Sequence, residues 1–144
     1  MRFAIASDHA GYELKEIIKQ RLFDYNHEVV DFGPNNTQPC DYPDNGRPAA
    51  EAVSRGNCDM AVLICGTGIG MSIVANKVPS VYAALCTSGV QAEYARRHNN
   101  ANILVLGARI TGRLEAEDIL NRFLKFEFEG GRHARRVDKI KNGF

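Results

Sequence analysis

The sequence predicts an α/β fold of three layers, with helices on both faces of a five-stranded parallel sheet. Three observations carry that prediction. Short β-branched or apolar runs alternate with stretches of helical period along the chain, and parallel strands need such crossovers between them. The run Met60-Ala61-Val62-Leu63-Ile64-Cys65 is apolar throughout, as a strand covered on both faces is. The chain has 144 residues, the usual size of one domain, so it reads as a single domain over 1–144.

Phe3-Ala4-Ile5-Ala6 is the expected first strand. Leu14, Ile17, Ile18, Leu22 and Tyr25 follow at i, i+3, i+4, i+8 and i+11 and so line one face of a helix. Residues 28–32 read as a second strand closed by Gly33-Pro34, and the polar stretch 35–44 as a loop. A short helix is expected over 48–55, ended by Gly56. After the third strand, Gly66, Gly68 and Gly70 break the apolar run before a helix over 71–77. Strands four and five are expected over 81–86 and 102–106, with helices over 91–98 and 114–126 after them. Right-handed crossovers make this a Rossmann-like arrangement. Ligands of such sheets sit beyond the carboxyl ends of the strands, here Ser7-Asp8-His9, 65–70, Thr87-Ser88 and 107–109.

Charged residues make up 24% of the chain and the formal net charge is +1, so no broad field of one sign points to nucleic acid or a membrane surface. The longest apolar runs fall far short of the ~20 residues that span a bilayer. Residues from Met1 onward enter a strand with no apolar leader, and the expected compartment is the cytoplasm. Cys40, Cys58, Cys65 and Cys86 have no C-x-x-C spacing and no histidine at finger distance. They read as free thiols of a reducing compartment, with no metal site.

The most informative segment is Cys65-Gly66-Thr67-Gly68-Ile69-Gly70. Glycines at alternate positions let backbone N–H groups converge at a helix start, which suits an anion or a developing oxyanion. The segment lacks the Gly-Lys-Ser/Thr of a nucleotide loop and the G-x-G-x-x-G of a dinucleotide site. A tight turn that needs glycine for packing is the plainer alternative. Cys65 faces that helix start, where unpaired amides favour a thiolate able to act as base or nucleophile; a buried structural cysteine is the other reading. A thiol phosphatase would need an arginine where Met71 stands.

Asp8 could accept hydrogen bonds from substrate hydroxyls or simply cap the next helix, and His9 could hold an anion. His98-Asn99 closes a helix, where a histidine also complements the dipole. Arg132 and Arg136 lie four apart, share a face if helical and could clamp a phosphate, or form a solvated basic tail.

Together these residues resemble one family, the ribose-5-phosphate isomerases of type B and their relatives that isomerise galactose 6-phosphate and allose 6-phosphate. The matching segments are Ser7-Asp8-His9-Ala10-Gly11, Asp41-Tyr42-Pro43, Ile64 through Gly70, Ala75-Asn76-Lys77, His98-Asn99, and Gly130-Gly131-Arg132-His133 with Arg136. The resemblance implies that Cys65 is the base, that His98 opens the sugar ring and that Thr67 assists at the reacting carbons. It places Gly66, Gly68, Ile69 and Gly70 in the segment that holds the enediolate. Asp8, His9, Asn99, Arg109, Arg132 and Arg136 match the substrate set, with His9 and the arginines at the phosphate, and Tyr42 lines the pocket. The chemistry suits these residue types: one base on one face moves the proton between neighbouring carbons, with no metal or nicotinamide cofactor. The resemblance also implies a homodimer, or a tetramer of two such dimers, with Cys65, Thr67 and Asp8 from one subunit and His98, Asn99 and Arg109 from its partner. A hexose 6-phosphate substrate and a non-catalytic flavodoxin-like binding module are the rival expectations.

Overall fold

The computed structural model describes residues 1–143. The chain runs β1 (Arg2–Ser7), α1 (Tyr12–Asp24), β2 (Glu28–Asp31), α2 (Tyr42–Ser54), β3 (Met60–Cys65), α3 (Ile69–Asn76), β4 (Ala83–Leu85), α4 (Gly89–Asn99), β5 (Ile103–Gly107), α5 (Arg113–Lys125) and α6 (Arg132–Lys141). All five strands are parallel, in the order β2-β1-β3-β5-β4.

Handed crossovers turn this strand order into layers. Reaching β2 from β1 and reaching β5 from β4 move along the sheet in one direction, while β2 to β3 and β3 to β4 move in the other. Right-handed connections therefore set α1 and α4 on one face and α2 and α3 on the opposite face. The period of two along each strand divides the core accordingly. Phe3, Ile5, Val62, Ile64, Leu104 and Leu106 pack with α1, α4 and α5. Ala4, Ala6, Ala61, Leu63, Cys65, Ile103 and Val105 pack with α2 and α3. Cys65 thus belongs to the layer that holds the start of α3.

The helix expected over 48–55 begins six residues earlier, at Tyr42. Asp41 occupies the N-cap position and Pro43 sits in the first turn, a favourable start, because a proline there removes only an N–H that has no helical partner. Pro48 lies inside the helix and forgoes one intrahelical bond, and Gly46 leaves room for the Met71 side chain. Strand β4 is shorter than 81–86. As an edge strand it finds one partner in β5, and the Asn76 side chain takes the other side, bonding both N–H and C=O of Ala83 at 2.9 and 3.0 Å. On α1, Leu14, Ile18 and Leu22 are buried as expected, but Tyr25 is exposed and bonds Asn121 at 2.6 Å. Lys15 is fully buried instead, its Nζ donating to both oxygens of Asp31 and to the Pro34 carbonyl. Among the described residues no helix is long and apolar enough to cross a membrane.

Candidate active site

Neighbouring strands whose connections leave toward opposite faces open a crevice at their carboxyl ends. Strand β3 has such a neighbour on each side, since β1 and β5 lead to the α1 and α5 layer while β3 leads to α3. The loop after Cys65 lies between both crevices.

Cys65 is 4% exposed. Its Sγ accepts the Gly68 N–H at 3.2 Å, a contact that strengthens when the sulfur is anionic. Gly68 is the N-cap of α3 with φ +80°, a conformation that glycine adopts freely, and a Cβ there would collide with the Leu85 side chain. Helix α3 leaves the N–H groups of its first residues without intrahelical partners. That of Ile69 goes to Thr67 Oγ1 at 3.3 Å, and that of the half-buried Gly70 has no partner among the described residues. The segment therefore sets backbone amides of a helix start beside the thiol, an arrangement able to hold an anion.

Four more residues join it. Asp8 is buried, and its Oδ1 accepts the Gly11 N–H at 3.0 Å while its second oxygen makes no hydrogen bond among the described residues. Asp8 thus serves the start of α1 and retains an acceptor for a hydroxyl. His9 Nδ1 lies 3.2 Å from the Cys40 N and 3.3 Å from the Cys40 carbonyl oxygen, so the Cys40 backbone holds the ring through Nδ1. Tyr42 lays its ring where a Gly70 Cβ would stand, within 2.6 Å. Arg109 donates its backbone N–H to the Gly66 carbonyl at 2.9 Å, and its side chain runs over Gly66. Within one chain Arg109 therefore lies on the Cys65 side of the fold, beside Gly66.

His98, Asn99, Arg132 and Arg136 lie elsewhere. Helix α4 descends from Gly89, beyond the carboxyl end of β4, to Asn99, just before β5 starts. Cys65 pairs with Gly107 at the far end of β5, so the two sets are separated by more than the length of that strand, roughly 13 Å at about 3.3 Å per residue. A catalytic group must come within about 3–3.5 Å of its reacting atom, so one chain cannot bring Cys65 and His98 to the same sugar carbons.

The second set has its own organisation. Arg132, Arg135 and Arg136 occupy the first turns of α6, with no acidic residue in its first turn. Cations at the positive end of a helix are unfavourable unless an anion joins them, which suits a phosphate. Glu129, which no sequence motif singles out, and His133, which stands in the matching Gly130-Gly131-Arg132-His133 segment but is given no role by it, complete the cluster. The His98 and His133 rings stack at 3.9 Å and 10°. Glu129 Oε2 lies 3.8 Å from His98 Nε2 and 3.7 Å from His133 Nε2. Three ligand atoms within 4.8 Å match a metal site in number only: a shared ion would have to lie near both ring planes, and these run nearly parallel. Nothing in the sequence signals the pair, because α4 and α6 meet only in the fold. A groove of about 480 Å³ between α2 and α3 contains none of the candidate catalytic or substrate-binding residues, and its Arg47 and Arg55 are both paired with Glu51.

A family model described as Ribose/Galactose Isomerase matches residues 3–140. Ribose-5-phosphate isomerase B of Escherichia coli (strain K12) is 39% identical over 139 residues, covering 96% of this chain and 93% of that protein. The structure of Clostridium thermocellum ribose-5-phosphate isomerase B superposes with a TM-score of 0.97 at 51% identity, covering 99% and 96% of the two chains. That of the Mycoplasma genitalium enzyme with bound ribulose-5-phosphate has a TM-score of 0.94 at 46% identity, covering 98% and 94%. With a match over nearly its whole length, the chain belongs to the ribose/galactose isomerase family.

Proposed function

We propose that the protein interconverts ribose 5-phosphate and ribulose 5-phosphate through an enediolate, at a site built from two copies of the chain. The observation that carries the reading is the Cys65 thiol against the Gly68 amide at the start of α3, in a chain of this family. As thiolate, Cys65 takes the proton from C2 of the open aldose and returns it to C1, while a proton passes from O2 to O1. Thr67 lies beside those oxygens. The amides at the start of α3 stabilise the enediolate charge, an effect worth about 3–4 kcal/mol per well-placed donor. Asp8 and Asn99 bind hydroxyls, Tyr42 lines the pocket, and His9, Arg109, Arg132 and Arg136 bind the phosphate.

Ribose 5-phosphate is mostly a closed furanose. Opening it breaks the bond between C1 and the ring oxygen, as the O1 proton leaves and the ring oxygen gains one. His98 is the group that carries this exchange. Its distance from Cys65 within one chain supports a homodimer in which each site takes Cys65 from one subunit and His98 from the other. Ile69 and Ile73 on α3, with Ile110 and Leu114 after β5, are each more than half exposed and offer apolar surface to such a partner. A pentose is favoured over a hexose phosphate by the ribulose-5-phosphate held in the similar Mycoplasma genitalium structure.

The test is the interconversion assay on purified protein, with ribose 5-phosphate beside allose 6-phosphate and galactose 6-phosphate. Ribose 5-phosphate is the expected best substrate. Cys65→Ala is expected to lose ~10²–10⁴-fold in turnover while still binding phosphate ligands. Near-normal turnover in Cys65→Ala would refute its assignment as base.

A further inference from the structure

We propose that Glu129 and His133 are positioning residues for His98: the two stacked imidazoles and the one carboxylate they face hold a single proton between them. The inference rests on the reading of His98 as the ring-opening group and adds to it what sets its orientation and charge.

Orientation comes from packing. The His98 ring stacks on His133 at 3.9 Å and meets the Tyr94 ring, one turn earlier on α4, at 4.7 Å and a tilt of 50°. These two rings restrict the imidazole, and its side chain is still 32% exposed to a substrate.

Charge comes from the groups around it. Glu129 is held below the usual carboxylate range, first by its hydrogen bond from Arg97 and then by the charges of Arg97, His98 and His133, against some burial. It is therefore an anion at neutral pH and supports one imidazolium. A second is disfavoured, because two positive rings stacked at 3.9 Å repel. Burial pushes His133 below the usual histidine range, and the nearby charges of His98, Arg132 and Arg136 push the same way against Glu129 alone. His133 is 6% exposed. His98 is the more open of the two rings toward a substrate. The remaining charges facing the pair are Arg97, paired with both Glu93 and Glu129 on the α4 side, and Arg132 and Arg136 on α6. The arrangement suits a residue that must accept a proton from O1 and supply one to the ring oxygen within one turnover.

Two nearly isosteric changes separate this role from simple packing. Glu129→Gln removes the anion, and His133→Phe keeps a stacked ring while removing the ring nitrogen that faces Glu129. In the ribose-to-ribulose direction Glu129→Gln is expected to lower kcat ~10-fold with KM little changed, below the full effect of a positioned acid–base group. The pH limb confined to that direction should move to lower pH in Glu129→Gln, since the charged ring loses its counterion. It should stay in place in His133→Phe, whose buried ring is already neutral. A limb moved in Glu129→Gln alone, with kcat lowered in the ribose-to-ribulose direction in both variants, is the signature. Limbs that stay in place in both folded variants, or losses equal in the two directions, would overturn the proposal. His98→Ala decides the reading beneath it: if that variant slows both directions equally, His98 does not open the ring. A direction-selective His98→Ala with unmoved limbs in the other two would reject the positioning role alone.

Discussion

Replacing Lys15 with methionine should destabilise the protein by about 3 kcal/mol. The fully buried Nζ donates to Asp31 Oδ1 at 2.7 Å, Asp31 Oδ2 at 2.8 Å and the Pro34 carbonyl at 2.7 Å. Removing one partner of a buried pair costs about 3–5 kcal/mol, because the remaining charge stays desolvated. Asp31 keeps Lys19 at 2.8 Å and the Gly33 N–H at 2.8 Å and is 21% exposed, which sets the loss at the lower end. Methionine preserves the apolar stem, so little packing is lost. Against a total stability of about 5–15 kcal/mol this is a large fraction, easily resolved by urea unfolding at unchanged m. The double change Lys15→Met with Asp31→Leu should recover much of it, since removing both partners of a buried pair is often nearly neutral. Burial raises the Asp31 carboxyl, but hydrogen bonds from Lys15, Lys19 and the Gly33 N–H outweigh it and leave it below the usual range. Its stabilising contribution is therefore complete above the unfolded value near ~3.9 and is lost as pH falls through the lowered folded one. The Lys15→Met penalty should accordingly be steady between about pH 5 and 8 and shrink in stronger acid. A loss under ~1 kcal/mol at neutral pH, or a double variant no more stable than the single, would refute this account of Lys15.

Gly68→Ala should lose about 1–2 kcal/mol to its left-handed backbone and about 1–3 kcal/mol more to overpacking against Leu85, seen as a lowered urea midpoint. Turnover should fall as well, since the Gly68 N–H faces Cys65. His133 is held below the usual histidine range by burial first and by its cationic neighbours next, so it stays neutral in the folded protein where the unfolded chain gains a proton. Stability should therefore decline as pH falls below ~6.5, and unfolding measured at several pH values should show a shallower decline in His133→Phe. His27, lowered for a similar reason, keeps that decline from vanishing.

The layers were legible because the strands at the centre of the sheet carry their own signal. Met60–Cys65 is apolar without a break, and the glycine pattern after it marks both the turn and the anion cradle. Edges were less legible. Strand β4 is short because only one side finds a strand, a fact of pairing that its own residues do not encode. The start of α2 was hidden by Pro43, Gly46 and Pro48, although Asp41 followed by an early proline is itself a start signal. Lys15 is charged and so escapes an apolar count, yet it fills a core position because Asp31 and the Pro34 carbonyl meet it there. Glu129 and His133 acquire meaning only when α6 folds against the end of α4. The position of Arg109 beside Gly66 is set by a turn after β5 that returns to that loop, which the sequence alone does not show.

The most direct test of a site shared between two copies is to unfold Cys65→Ala and His98→Ala subunits and refold them together. A mixed dimer then contains one site with both defects and one with neither. Random pairing makes about half the dimers mixed, so activity should recover to about a quarter of the wild-type level in the ribose-to-ribulose assay, while either variant refolded alone stays nearly inactive. If mass spectrometry finds mixed dimers and activity does not return, Cys65 and His98 serve the same subunit's site and the shared-site account is contradicted.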